Sequence, residues 1–269
     1  MKSFIRWAGS KRQALGHLRQ HWTSSHKRYI EPFAGSACLF FDLQPQNAVL
    51  GDINQELMCA MRAVRQNPYV VLECYRRLPR SKRAYYTIRG LEAGRLSDVE
   101  RAARFLYLNR YCFNGLYRTN SKGQFNVPYG PPRGKAPLDE RVITDASRAL
   151  QNALLLTADF QVTLSHVRSG DFVYLDPPYV TSSRRVFCEY LPGSFKKDDL
   201  RRLGETLREL NSKGAVFLIT YGDSPEARKL LAPWNPRRLR TRRNIAGFSG
   251  HRRDSYELIA TNGALGSGS

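Results

Sequence analysis

Two hundred and sixty-nine residues suffice for one large α/β domain with a smaller one inserted in it, enclosing a well-buried core. Lysine and arginine number 43 against 23 aspartate and glutamate, and the formal charge of +20 calls for a polyanionic partner, with nucleic acid ahead of an anionic membrane. No apolar run reaches spanning length, no basic amphipathic stretch carries a clean aromatic face, and Met1 to Trp7 lacks the apolar core of a signal peptide, so no membrane partner is expected.

The first landmark is Phe4-Ile5-Arg6-Trp7-Ala8-Gly9-Ser10-Lys11, in which small residues before a lysine suggest a loop whose backbone approaches a ligand. A basic helix is expected after it, to about His21. Tyr29-Ile30-Glu31-Pro32-Phe33-Ala34-Gly35-Ser36-Ala37 reads as a short strand turning into a helix from Cys38 to about Leu43. A second strand, Ala48-Val49-Leu50, ends at Gly51-Asp52-Ile53-Asn54, with another helix from Gln55. Strand, small-residue turn, helix, strand and acidic end make the nucleotide-binding half of a doubly wound sheet, and an acidic residue roughly 20 positions after the turn can bind ribose hydroxyls. The single glycine, Gly35, weakens a pyrophosphate reading and suits S-adenosylmethionine, which carries adenosine without phosphates. The plainer alternative is that Gly35 caps a tight turn and Asp52 caps the next helix.

From about Glu56 to Leu108 the pattern is helical, rich in Arg and Tyr, and predicts an inserted helical lobe. The segment from Asn109 to Tyr129 interleaves amides, aromatics and basic groups around the hairpin turn Ser121-Lys122-Gly123, as a nucleic-acid reading loop does. Pro131 to Lys135 is a basic loop. Leu154 to Phe160 reads as a strand ending in an acidic and aromatic pair. A Ser/Arg-rich loop from Thr181 to Arg185 leads to a helix from Lys197 to about Leu210, followed by strands at Ala215 to Ile219 and Tyr256 to Ala260. Between these two strands Arg237 to Arg243 is a basic strand, either a solvated edge or a phosphate contact.

Phe172-Val173-Tyr174-Leu175 predicts a buried strand, and Asp176-Pro177-Pro178-Tyr179 at its end solves a specific problem. The exocyclic amine of adenine is a poor nucleophile because its lone pair is delocalised into the ring. The Asp176 carboxylate and the Pro177 carbonyl can each accept one N6 hydrogen bond and draw the nitrogen towards tetrahedral geometry, favouring the transition state. Pro177 and Pro178 stiffen the turn, and Tyr179 offers a face on which an extruded base can stack. Asp-Pro-Pro at a strand end is also an ordinary turn.

Cys38, Cys59, Cys74, Cys112 and Cys188 are scattered without Cys-x-x-Cys spacing and are read as reduced thiols of a cytosolic protein. His17 and His21 stand at i, i+4 with no third ligand, so a solvated helix face is preferred and no metal is expected.

In this order the motifs resemble the Dam family of DNA N6-adenine methyltransferases, the D12 class, alpha group. The resemblance runs from Phe4 to roughly Ala260 through Arg6 to Lys11, Glu31-Pro32-Phe33-Ala34-Gly35, Asp52-Ile53-Asn54, Leu106 to Tyr111, Asn114-Gly115-Leu116-Tyr117-Arg118, Gly123 to Pro128 and Asp176 to Tyr179. It implies a doubly wound Rossmann-like methyltransferase sheet with an inserted helical target-recognition domain carrying a β-hairpin. Residues 1–55 and 145–262 would form the catalytic domain, 56–144 the recognition domain with its hairpin at about 111–130, and 263–269 a flexible tail.

By the same resemblance Trp7, Lys11, Phe33, Gly35, Asp52, Asp159, Phe160 and Asp176 border S-adenosylmethionine. Arg118 reads a guanine, Leu116 and Pro128 touch a thymine, Phe113 wedges into the stack and Asn114 meets the base orphaned by flipping. Arg6 contacts a flanking guanine, while Arg89, Arg110, Asn120 and Asn126 hold phosphates. The implied activity is methylation of adenine N6 in double-stranded DNA, within GATC or a longer site containing GAT. The implied setting is the cytoplasm of a bacterial or phage-infected cell, with no obligate protein partner.

Ser10 and Ala37 stand where the family usually has glycine, Phe113 where tyrosine is common, Arg6 where lysine is common, and Pro131-Pro132 where a basic and an aromatic residue often sit. The last three departures touch DNA readout. Competing readings are a catalytically silent sequence-specific DNA-binding protein, and a transferase acting on cytosine N4, RNA adenine or a protein glutamine amide.

Overall fold

The computed structural model describes residues 1–130, 138–179, 195, 197–242 and 254–263. The Pro131 to Lys135 and Thr181 to Arg185 loops, Cys188, Arg243, His251 and the tail from Gly266 lie outside the described residues.

The apolar runs form β1 (Tyr29–Glu31), β2 (Ala48–Asp52), β3 (Ala153–Thr157), β4 (Phe172–Leu175), β5 (Val216–Gly222), β6 (Arg237–Arg242) and β7 (Asp254–Thr261). They join in one seven-stranded sheet of order β3-β2-β1-β4-β5-β7-β6. The first five strands pair in parallel, and β7 runs antiparallel between β5 and β6. All four residues of β4 are buried: Phe172 and Tyr174 join the core on one face, Val173 and Leu175 that on the other. A strand covered on both faces reads as an unbroken apolar run, which is why β4 was legible without alternation.

Ten α-helices are described: α1 (Leu15–Leu18), α2 (Cys38–Leu43), α3 (Gln55–Gln66), α4 (Pro68–Arg77), α5 (Lys82–Gly90), α6 (Asp98–Tyr111), α7 (Glu140–Leu150), α8 (Phe160–Leu164), α9 (Lys197–Ser212) and α10 (Pro225–Leu231). Local chemistry starts several of them. Asn54 accepts from the Leu57 amide to cap α3, and Ser97 with Glu100 forms a reciprocal capping box on α6. Buried residues of α2 to α7 share one contiguous core with one sheet face, while α8, α9 and α10 cover the other.

Three elements differ from expectation. The strand expected over Leu154 to Phe160 ends at Thr157, because Asp159 caps α8 and Phe160 is its first residue. The basic helix before His21 is broken into a 3-10 turn (Lys11–Gln13), α1 and a second 3-10 turn (Arg19–His21). Gly16 sits inside α1 and neither end has a side-chain cap, so nothing sustains a longer helix. The reading loop closes as a hairpin through isolated bridges, Cys112 with Tyr129 and Thr119 with Phe125, rather than through regular strands.

β1 lies between β2 and β4, so the chain leaves it in both directions. Open α/β sheets bind ligands in the crevice at the carboxyl ends of the strands beside such a reversal. Asp176 and Asp52 stand at that edge.

Candidate active site

Asp176 follows the last residue of β4, and its carboxylate is heavily engaged. Lys11 Nζ lies 2.7 Å from Oδ1 and 2.9 Å from Oδ2, and Thr220 Oγ1 of β5 donates to Oδ1 at 2.9 Å. Lys11 also donates to the Gly9 carbonyl at 3.2 Å and to the Tyr179 hydroxyl at 3.3 Å, and lies 3.7 Å from Glu257 Oε1 of β7. Tyr179 in turn donates to Glu257 Oε1 at 2.9 Å. The Lys11 side chain is 6% exposed and that of Asp176 19%.

Burial opposes the Lys11 charge, but Asp176, Tyr179 and Glu257 outweigh it and raise its pKa above the ordinary lysine range. Burial pushes Asp176 above the usual carboxylate range, Lys11 pulls it back and Glu257 adds to the rise. The cluster therefore holds a permanent cation between two carboxylates, one of which faces the crevice. Pro177 is buried and Pro178 exposed. The Tyr179 ring lies against Gly222, where a Cβ would stand 3.1 Å from ring carbon Cδ2, so glycine lets the ring settle on the strand backbone.

The expected cofactor residues gather around the ends of β1, β2 and β3. Gly35 has φ of +47°, and a Cβ there would stand 2.7 Å from Trp7 Cδ1, so both backbone and space require glycine. Asp52 accepts from the Gly35 amide and the Asn54 amide, each at 2.9 Å, pinning the loop while keeping lone pairs for a ribose. The helix cap is Asn54 itself, so Asp52 is not a cap. Phe33 stacks on Phe160 at 5.3 Å, with Phe195 6.0 Å from Phe33 and 6.2 Å from Phe160, an apolar aromatic cluster beside Asp159. Asp159 lies past the end of β3, caps α8 by accepting from the Gln161 amide and pairs with Arg202 at 2.7 Å. These groups suit an adenosine: a carboxylate for hydroxyls, aromatic faces for a base, and one close-approach glycine.

The loop from Asn109 to Tyr129 meets these residues at Trp7, which stacks on Tyr117 at 5.6 Å. The Arg6 amide donates to Asn109 Oδ1 at 2.9 Å, and Asn109 Nδ2 donates to the Arg6 carbonyl at 2.6 Å, fixing Arg6 against α6. Phe113 is 42% exposed and Asn114, with φ of +55°, is also exposed. Gly130 passes so close that a Cβ would reach 2.6 Å from the Phe113 Cα, which holds Phe113 up from behind. Leu116 is half-buried and Pro128 exposed.

Arg118 Nε donates to Asn126 Oδ1 at 2.8 Å, so Asn126 orients the guanidinium. Asn120 closes the turn by accepting from the Lys122 and Gln124 amides, each at 3.0 Å. Arg89 donates to the Val127 carbonyl at 3.2 Å, and Arg110 is half-buried on α6. Arg89, Asn120 and Asn126 thus serve the loop's own shape. They also line a cavity of about 420 Å³ with Glu56, Arg104 and Tyr117, and Asp176 is not on its wall.

Thr220, Glu257 and Phe195 were missed from the sequence. Glu257 had a readable signal: it is the one carboxylate within the apolar run Tyr256 to Ala260, and it is buried. Among the described residues no group of three or more His, Cys, Asp or Glu side chains is placed to hold a metal ion, and no helix is long and apolar enough to cross a membrane.

A family model for the D12 class N6 adenine-specific DNA methyltransferases matches residues 7–245. The chain is 36% identical to the type II methyltransferase M1.LlaDCHI of Lactococcus lactis subsp. cremoris, over 97% of this chain and 95% of that protein. It is 32% identical to the type II methyltransferase M.MjaIII of Methanocaldococcus jannaschii, over 97% and 99%. With a DNA adenine methylase of Salmonella typhi it shares 30% identity over 96% and 94%.

Proposed function

The chain belongs to the D12 class of N6 adenine-specific DNA methyltransferases, and from that premise we propose that it flips an adenine out of duplex DNA and methylates its N6 at Asp176, within GATC or a longer site containing GAT. The observation carrying this reading is the Asp176 carboxylate at the carboxyl end of β4, held by Lys11 and Thr220 and faced by Tyr179. S-adenosylmethionine supplies an electrophilic methyl on sulfur; Trp7, Lys11, Phe33, Gly35, Asp52, Asp159 and Phe160 border its place.

Asp176 and the Pro177 carbonyl accept the two N6 hydrogens of adenine. As the nitrogen takes the methyl, the S–CH3 bond would break and leave a neutral thioether; the nitrogen becomes cationic, the adjacent carboxylate stabilises that charge, and the surplus N6 proton passes to solvent. Tyr179 stacks on the extruded ring. Residues 56–144 act as the recognition region: Arg118, held by Asn126, reads guanine in the major groove, Leu116 and Pro128 meet a thymine, and Arg6 meets a flanking base pair. Phe113 and Asn114, presented at an exposed left-handed turn, fill the space left by the flipped base. Arg110, with the surrounding positive charge, holds phosphates, so binding weakens steeply with salt.

The test is to incubate the protein with labelled S-adenosylmethionine and unmethylated duplex DNA, digest to nucleosides and separate them. Label in N6-methyladenine is expected. Label in N4-methylcytosine, or in RNA but not DNA, would replace this acceptor, and tight binding with no label would favour the silent DNA-binding protein.

A further inference from the structure

Asp176 enters the role just given to it already engaged. Lys11 contacts both its oxygens and Thr220 one of them, so an adenine amine that bonds to this carboxylate shares it with a buried ammonium. The ammonium has somewhere to go. Glu257 Oε1, on the strand that pairs with β5, lies 3.7 Å from the same Nζ, within attraction but beyond close contact. We propose that Glu257 is the alternate counter-ion of Lys11: when adenine N6 engages Asp176, Lys11 draws onto Glu257 and frees the catalytic carboxylate.

The inference rests on the assignment of Asp176 as the N6 acceptor. Closing from 3.7 Å to a charge-assisted contact requires a shift of about 1 Å. Tyr179 is tied to the same carboxylate through its hydroxyl, so the ring that stacks on the base and the cation that must move share one anchor. Glu257 is 5% exposed, and a carboxylate is retained at that depth only with a partner in place. It is a positioning residue, acting on substrate through Lys11 and Tyr179.

The groups facing Asp176 are Lys11 from the first 3-10 turn, Glu257 from β7, Thr220 from β5, Tyr174 from β4, Glu31 from β1 and Cys38 from α2. Burial raises Asp176 first and Lys11 opposes it, while Glu257 adds a like-charge push upwards. Removing the Glu257 charge therefore moves the Asp176 ionisation to lower pH. It also leaves Lys11 clamped on Asp176, which slows the reaction at every pH.

The experiment uses full-length Glu257→Gln and Glu257→Asp proteins with S-adenosylmethionine and an unmethylated duplex. For the Gln variant kcat should fall about tenfold to a hundredfold, the size of effect a misplacement of about 1 Å produces. KM for DNA and for S-adenosylmethionine should stay within about twofold, and the acidic limb of kcat should move to lower pH. The Asp variant should recover part of the rate. A merely structural role would raise both KM values or lower kcat without moving the limb, and either result, like a wild-type rate in the Gln variant, overturns the proposal. Should the Gln variant not fold, the Asp variant decides: a reduced kcat at unchanged KM supports the counter-ion role, and a wild-type kcat overturns it. If the unaltered protein itself puts no methyl on adenine, it is the parent assignment that fails.

Discussion

β4 is flanked by two aspartates, Asp171 before it and Asp176 after it, and the two ends of this one strand are built differently. Asp171 is fully buried. Arg28 Nε reaches its Oδ1 at 3.0 Å and Arg28 Nη2 its Oδ2 at 2.6 Å, and the Arg168 amide adds a third bond at 2.8 Å. Arg28 Nη2 also donates to the His166 carbonyl, so the fork is locked into the loop before the strand. At the other end Asp176 stays partly exposed, its cation is shared with a second carboxylate, and the surrounding loops use left-handed backbone at Gly35 and Ala37. A bidentate guanidinium fixes a carboxylate in one geometry and holds structure; an ammonium is a point charge without that geometry, and here it lies between two carboxylates. The amino end of the strand is finished, and the carboxyl end is poised.

The largest effect that would sharpen the contrast is on rate. Asp176→Ala should lower kcat by about a hundredfold to a thousandfold or more, while DNA affinity from a titration stays within a few-fold. Burial lifts Asp176 above the ordinary carboxylate range, and in its proposed role only the ionised form would accept from N6, so kcat of the unaltered protein should fall as pH drops through that raised value. A flat acidic limb in a pH series would break the comparison at its functional end.

At the other end the effect should be on stability. Asp171→Ala strands a mostly buried guanidinium and should cost about 3 kcal/mol in denaturant unfolding, with kcat per folded molecule near that of the unaltered chain. A large rate loss in a stable Asp171→Ala protein would remove the distinction. Arg118→Ala touches neither aspartate and should cost about 1–3 kcal/mol of discrimination at one base pair, seen as extra methylated sequences with the rate on the best site largely kept. The smallest effect is at Ala37, whose φ of +47° glycine adopts without penalty; Ala37→Gly should raise stability by about 0.5–1 kcal/mol.

The poised end was more legible in the sequence than the finished one. Asp176 to Tyr179 and Glu31 to Gly35 are short contiguous runs at the ends of buried strands, so their position at the carboxyl edge of the sheet was readable from local sequence. Arg28 pairs with Asp171 across 143 positions, and nothing in either neighbourhood announces the other. Thr220 and Glu257 reach Asp176 only because β5 and β7 are laid beside β4 by the sheet order, a fact of tertiary pairing. In the loop from Asn109 to Tyr129 the residue types did not show which side chains the fold itself would use. Asn120 and Asn126 have the composition of nucleic-acid contacts, yet in the fold one closes a turn and the other orients Arg118. The broken N-terminal helix is the opposite case: a basic stretch was read as one helix although Gly16 lies within it and it has no side-chain caps.

The most direct measurement is to treat unmethylated genomic DNA with the protein and S-adenosylmethionine, alongside Asp176→Ala, and map methylated bases by strand-resolved sequencing. The account expects N6-methyladenine confined to one short motif containing GAT, and none from the variant. Methylation on cytosine, or methyladenine made equally well by Asp176→Ala, would contradict it.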